Sequence, residues 1–216
     1  MNRYLVDKSI ANVVSSGSHG NAVIYHESIL VDIGVAYKKI EPYKSQIQLV
    51  LLTHEHLSDH LNIVALRELC KQRPLLRVGC GKFMTKFLDG IKNVDILEPG
   101  VIYDYGNFKI SPIVLYHDVP NFGYRILKNG HKTIHITDTA HLEGITAKDY
   151  DLYAIESNYS EENIHKSIAE IEKRGEYAYQ RGAINSHLSD QQAKDFIFAN
   201  ANVNSKILRL HESKNQ

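Results

Sequence analysis

The sequence predicts a mixed α/β domain, read as one unit over residues 1–216. Three observations carry the prediction. Short apolar runs of strand length recur along the chain. Several are followed by stretches with apolar residues three and four apart, the spacing of a helix that lies on a sheet. Ligand-type side chains, histidine above all, stand where the apolar runs stop, which is where α/β folds place chemistry.

The elements follow in order. Residues 10–15 alternate weakly and read as a first strand. Ser16-Gly17-Ser18-His19-Gly20-Asn21-Ala22 is a glycine-rich turn. Its glycines permit tight backbone approach; a phosphate cradle is the other reading, though no helix clearly starts there. Residues 23–25 and 29–34 read as a hairpin, and 35–44 as helical until Pro42 intrudes. The run 47–52 is apolar apart from Gln48 and reads as a buried strand. Beyond it Leu61, Val64, Ala65 and Leu69 share one face of a helix. Residues 75–78 make a short strand, 82–88 a short helix, and Pro99-Gly100 a turn. Strands are expected over 108–115 and 122–127, a hairpin turn at Asn129-Gly130, and a return strand over 132–137. A strand at 152–156 precedes a helix at 161–173 with Ile164, Ile168 and Ile171 on one face. A second helix at 189–200 carries Ala193, Phe196 and Ile197, with Ser189 as its N-cap. Residues 207–210 form the last strand. No internal repeat or low-complexity linker divides the chain.

Composition narrows the classes. Hydrophobic content is 43% and charged content 23%, ordinary for a globular protein. No apolar run is long enough to span a bilayer, and Met1-Asn2-Arg3-Tyr4-Leu5 lacks the apolar core of a secretory signal. Cys70 and Cys80 are too few for a disulfide framework, so a cytoplasmic location is expected. Lys+Arg and Asp+Glu both number 25; the basic excess usual in a protein that grips long nucleic acid is absent. Histidine is the outlier, at 12.

Those histidines concentrate at Thr53-His54-Glu55-His56-Leu57-Ser58-Asp59-His60, on a loop between a buried strand and a helix. Neutral imidazole and carboxylate are good ligands for Zn²⁺ and its neighbours. His54 and His56 can reach one ion, and Asp59 and His60 can turn toward a second. His54, His117, Asp138 and His211 each follow an apolar strand, so they converge if those strands share one edge. Thr53 and Asp32 are placed to orient ligand imidazoles. Tyr116, Asn121 and Tyr124 are candidates to line a substrate pocket. His26 and His131 read as exposed turn residues, and His165 as the polar side of its helix. His187 stands just before a helix, where the dipole disfavours a cation, so a compensating carboxylate is expected beside it.

His54-Glu55-His56-Leu57-Ser58-Asp59-His60 resembles the His-x-His-x-Asp-His signature of the metallo-β-lactamase fold, with one residue more before the aspartate. The resemblance implies the four-layer αβ/βα sandwich. It implies His54, His56 and His117 on one metal, Asp59, His60 and His211 on a second, and Asp138 bridging them. The implied cofactors are two Zn²⁺, with Mn²⁺ as the alternative. A carboxylate at Asp138 points away from true β-lactamases and toward phosphodiesterases. Ser16 to Ala22, Glu156-Ser157-Asn158, His187-Leu188-Ser189 and His211-Glu212-Ser213-Lys214-Asn215 resemble segments of the YycJ/WalJ-type proteins, and in part of the ribonuclease Z group. The chain is also similar to the phage anti-Pycsar cyclic-nucleotide phosphodiesterases. This implies that Glu156 pairs with His187, which serves as general acid, while Asp59 also orients the attacking water. The activity implied is that of a metal-dependent phosphodiesterase on nucleotides, 3′,5′-cyclic mononucleotides first, of use in phage-type immune evasion. A single-stranded DNA or RNA exonuclease is the alternative, and a non-catalytic nucleotide-binding module the second. The expected assembly is a homodimer, with no membrane partner.

Overall fold

The computed structural model describes residues 6–57, 59–175 and 180–211. Among these, twelve strands form two six-stranded sheets. The first sheet holds β1 (Ala11–Ser15), β2 (Ala22–Tyr25), β3 (Ile29–Val31), β4 (Leu49–Leu52), β5 (Arg77–Cys80) and β6 (Val94–Ile96), in chain order. β1 to β3 are antiparallel neighbours, and β3 to β6 run parallel. The second sheet runs in the reverse of chain order from β12 (Lys206–Leu210) through β11 (Leu152–Glu156), β10 (His131–Ile136), β9 (Pro120–Lys128) and β8 (Phe108–Tyr116) to β7 (Tyr103–Asp104).

Packing follows from which faces are apolar. One face of the first sheet meets α1 (Tyr37–Ile40) and α2 (Ile63–Gln72) through Leu30, Val50, Leu52, Ile40, Leu66 and Leu69. The two sheets close on each other through Tyr25, Val31, Leu49 and Leu51 against Phe108, Tyr124, Ile126 and Ala154. The outer face of the second sheet carries Ile113, Ile134, Ile136 and Ile155, covered by Ala193 and Phe196 of α5 (Asp190–Asn200). α3 (Glu161–Lys173) and α4 (Gln180–Ser186) share a smaller cluster built on Tyr159, Ile164 and Ile168. The layers are therefore helix, sheet, sheet, helix, the αβ/βα sandwich.

Local chemistry explains the boundaries. Pro42 stops α1 after four residues and turns the chain into a 3₁₀ segment, Glu41–Tyr43. Ser189 accepts from the Gln192 backbone while the Gln192 side chain returns to Ser189 N, a capping box that starts α5. Asn129 and Gly130 both take positive φ, as the tight β9–β10 turn requires. Residues 82–88 form a 3₁₀ turn, Lys82–Phe87, and not an α-helix. Val64 departs from its expected face: it is exposed, and Leu66 is buried in its place. β6, β7 and α4 gave no clear periodic signal, being short. Met1 to Leu5, Ser58 and the 212–215 part of the C-terminal motif lie outside the described residues.

Candidate metal centre

β10, β11 and β12 are parallel, and β8 runs the same way because two antiparallel pairings separate it from β10. Their carboxyl ends deliver His117, Asp138, Glu156 and His211 to one edge of the second sheet. β4 brings Thr53 and His54 to the facing edge of the first. The result, among the described residues, is four groups of side chains whose ligand atoms lie within 4.8 Å of one another: His54, His56 and His117; His54, His60 and Asp138; Asp59, His60 and His211; Asp138, Glu156, His187 and His211. Every residue named from the sequence as a metal ligand, and each of the three named as catalytic, stands in one of these groups.

Most of the rings are gripped by one nitrogen. Thr53 Oγ1 lies 2.9 Å from His54 Nδ1, Asp32 Oδ2 2.7 Å from His60 Nδ1, and the Ser186 carbonyl 2.8 Å from His117 Nδ1. The opposite nitrogens face the centre. His54 Nε2 is 3.1 Å from His56 Nδ1, and His60 Nε2 is 2.7 Å from Asp138 Oδ2. Asp32 is the hub behind the ligands, since it also accepts from Thr53 N and Thr53 Oγ1. Holding one nitrogen fixes the tautomer and the ring plane, so the other arrives ready to ligate.

Asp138 is buried at the meeting point. Its Oδ1 lies 2.8 Å from His211 Nδ1 and 3.1 Å from His187 Nδ1. Asp138 and His211 both take the left-handed backbone conformation, φ 55° and 49°, which is costly for side-chain-bearing residues and typical of functional sites. Asn121 holds Asp138 there by donating to the carbonyls of Thr137 and Asp138 at 2.9 and 2.6 Å. Glu156 is equally buried. Its Oε1 accepts from Thr139 N and Leu188 N, and its Oε2 lies 3.0 Å from His187 Nδ1. His187 follows α4 and precedes the α5 cap.

The charges divide the centre in two. Burial lowers His54 well below the ordinary histidine range, with the nearby His60 charge adding to it, and burial also lowers His117. On the other side burial opposes charge but loses. Asp138 and Asp32 raise His60 well above its usual value, Asp138 and Glu156 hold His187 at about 10, and the same carboxylates hold His211 at about 9. Burial would raise Asp138, but the His60 and His211 charges lower it.

This donor set fits divalent transition ions. His117 Nε2 and Asp138 Oδ2 are buried without a hydrogen-bond partner of good geometry, although other polar atoms crowd them. Unsatisfied buried atoms are costly unless something binds them. His54, His56 and His117 would hold one ion, Asp59, His60 and His211 another, with Asp138 between. Residues 29–193 match the family model described as the beta-lactamase superfamily domain. The chain belongs to this superfamily.

Superfamily members are generally hydrolytic, and the fold typically binds divalent metals, often zinc. Solved structures agree on the fold. The metallo-beta-lactamase fold protein YhfI from Bacillus subtilis aligns with a TM-score of 0.73 at 17% identity, covering 95% of this chain and 86% of that one. The short form of human tRNase Z aligns at 0.68 and 15% identity, covering 94% and 92%. A diphosphatase of the PhnP family aligns at 0.62 and 13% identity, covering 95% and 87%. No curated protein matches the sequence significantly. Among the described residues no helix is long and apolar enough to cross a membrane.

Two readings of the sequence need correction. Asn121 and Tyr124 do not line a pocket. Both are buried, Asn121 supporting Asp138 and the Tyr124 hydroxyl donating to the Leu52 carbonyl. His26 and His131, both read as exposed, are half-buried and pack ring against ring. The tight backbone approach expected of the glycine-rich turn is made: a β-carbon on Gly20 would lie 2.3 Å from the Gly34 carbonyl oxygen, and the turn packs on the ligand loop. Asn21 N donates to the Asp59 carbonyl at 2.6 Å, and Asn21 Nδ2 reaches Gly17 O, Asp59 O and His60 Nε2. Sequence reading missed Asn21, Thr139 and Ser16, whose Oγ accepts from His211 N at 2.7 Å, although the composition of the Ser16 to Ala22 turn marked the segment.

Proposed function

We propose that this chain is a metal-dependent phosphodiesterase acting on nucleotides, with 3′,5′-cyclic mononucleotides as its first substrates. One observation carries the reading: a histidine outside the implied ligand set, His187, is held by Glu156 Oε2 and Asp138 Oδ1 beside the ligand atoms. A site built only to bind a metal has no need of it. When bound, two divalent cations polarise a phosphodiester and lower the pKa of water toward neutrality. His54, His56, Asp59, His60, His117, Asp138 and His211 would hold those cations. Asp59 also orients the attacking water. His187, with Nδ1 engaged by the carboxylates, presents Nε2 and its proton to the departing oxygen. The tRNase Z and diphosphatase among the similar structures support nucleotide phosphoryl chemistry, and the formal charge of zero supports a small substrate over a long strand.

The test compares kcat/KM for a 3′,5′-cyclic mononucleotide with that for a single-stranded oligonucleotide at the same salt and metal. Higher kcat/KM on the cyclic compound, with weak salt dependence, supports the proposal. Faster and strongly salt-sensitive cleavage of the oligonucleotide replaces it with the exonuclease. Nucleotide binding with no hydrolysis of either replaces it with a binding module. The homodimer belongs to the same reading and rests on the resemblance; sedimentation at micromolar concentration tests it.

A further inference from the structure

We propose that Tyr116 and His141 form a nucleobase wall on the rim of the metal centre. Their rings are stacked, with centroids 4.1 Å apart and planes 24° from parallel. Tyr116 ends β8 and immediately precedes His117; His141 lies three residues beyond Asp138. The pair is fixed to the centre through one residue. Thr139 N donates to Glu156 Oε1 at 2.8 Å, Thr139 Oγ1 accepts from Tyr116 N at 2.9 Å, and the same hydroxyl donates to the His141 carbonyl at 2.9 Å. Ala140 N closes the arrangement on the Tyr116 carbonyl at 2.7 Å. The wall is thus tied by hydrogen bonds to Glu156.

His141 covers one face of the tyrosine, yet Tyr116 remains 46% exposed. An aromatic face accepts any base because every base has a π-face, and the gain is largest for purines with the most area to stack. The ligand class is therefore a nucleoside phosphate, its base against Tyr116 and its phosphate toward the centre. This assignment of the ligand rests on the phosphodiesterase reading, and the test separates the two.

The probe is 2-aminopurine riboside 5′-monophosphate, whose fluorescence is quenched on stacking; the chain contains no tryptophan to interfere. Ribose 5-phosphate serves as the base-free competitor. The metal-loaded full chain should quench the probe, and Tyr116→Phe should keep its affinity. Tyr116→Ala should weaken it about 5- to 150-fold, the loss of one stacking partner, with ribose 5-phosphate binding unchanged. Tyr116→Leu, which keeps the strand end filled with an apolar side chain, should resemble Tyr116→Ala. Unchanged probe affinity in Tyr116→Ala or Tyr116→Leu overturns the wall. Equal loss of probe and ribose 5-phosphate in both variants also overturns it, since the residue would then be supporting the site as a whole. Tyr116-dependent quenching in a chain that cleaves no phosphodiester leaves the wall standing and removes the phosphodiesterase.

Discussion

His60 Nδ1 lies 2.7 Å from Asp32 Oδ2, and this contact decides which nitrogen of the ring faces the metal centre. Asp32 occupies a left-handed backbone position, φ 58°, that asparagine also tolerates. Asp32→Asn therefore removes the charge without straining the turn. Metal affinity should fall roughly 10- to 100-fold, the usual cost of losing a residue that orients a ligand. Competition against a chromogenic chelator measures it. Wild-type affinity in the variant would mean that Thr53 and Asn21 suffice to hold the ring.

The donor set predicts two ions per chain. Elemental analysis of protein purified without chelator should find them, with zinc the first expectation for imidazole and carboxylate donors. His56→Ala and Asp138→Ala should each lower the stoichiometry, and chelation should lower the melting temperature because bound metal stabilises the folded state. A reproducible content near zero, with no gain from added zinc or manganese, rules the two-metal reading out.

His187 separates binding from proton transfer. His187→Ala should leave the metal content intact and slow turnover by roughly 10²- to 10⁴-fold. The loss should shrink on a nitrophenyl phosphodiester, whose leaving group departs without a proton. Loss of an ion in this variant would make His187 a ligand, an arrangement that the Asp138, Glu156, His187 and His211 group also allows.

How much of this was legible depended on spacing. The cluster from His54 to His60 is local, so one loop displays it. His117, Asp138 and His211 were legible because each follows an apolar strand, and parallel strands bring such ends to one edge. What could not be read was support supplied across the chain. Asn21 and the Asp59 carbonyl are 38 residues apart in sequence. Asn121 and Tyr124 fell on the wrong side because an apolar strand with a polar residue near its end fits a pocket wall and a buried brace equally well. Val64 shows the limit of helical spacing, since two adjacent faces of α2 fit the pattern and only tertiary packing chooses Leu66.

Gly34 tests whether the ligand loop needs its close packing. A β-carbon there would lie 1.8 Å from the Asp59 carbonyl oxygen and 2.8 Å from His60 N. These are backbone atoms, so no side chain can swing aside. Gly34→Ala should displace the Asp59–His60 segment and destabilise the protein by about 1–3 kcal/mol, the usual cost of overpacking. Denaturant unfolding with and without zinc measures it. The increment in stability from zinc should shrink along with the baseline. A full increment would show that the loop relaxes without moving its ligands.

The two halves of the centre should fill at different pH. In the metal-free protein His187 and His211 hold protons up to about 10 and 9. Raised values give stability that is present in full below the unfolded histidine value of about 6.5 and is lost as pH climbs through 9 to 10. The melting temperature of the metal-free chain should therefore fall across that window. A metal taking His60 and His211 must expel their protons, so affinity on that side rises with pH. His54 and His117, lowered mainly by burial, are already neutral at pH 7 and offer lone pairs with little pH dependence. Zinc titrated near pH 6 should fill one site and near pH 9 both, with the greater proton release on the second ion. Calorimetry in two buffers of different ionisation enthalpy counts those protons. Equal release for both ions would show that the charge division seen without metal does not govern how the centre assembles.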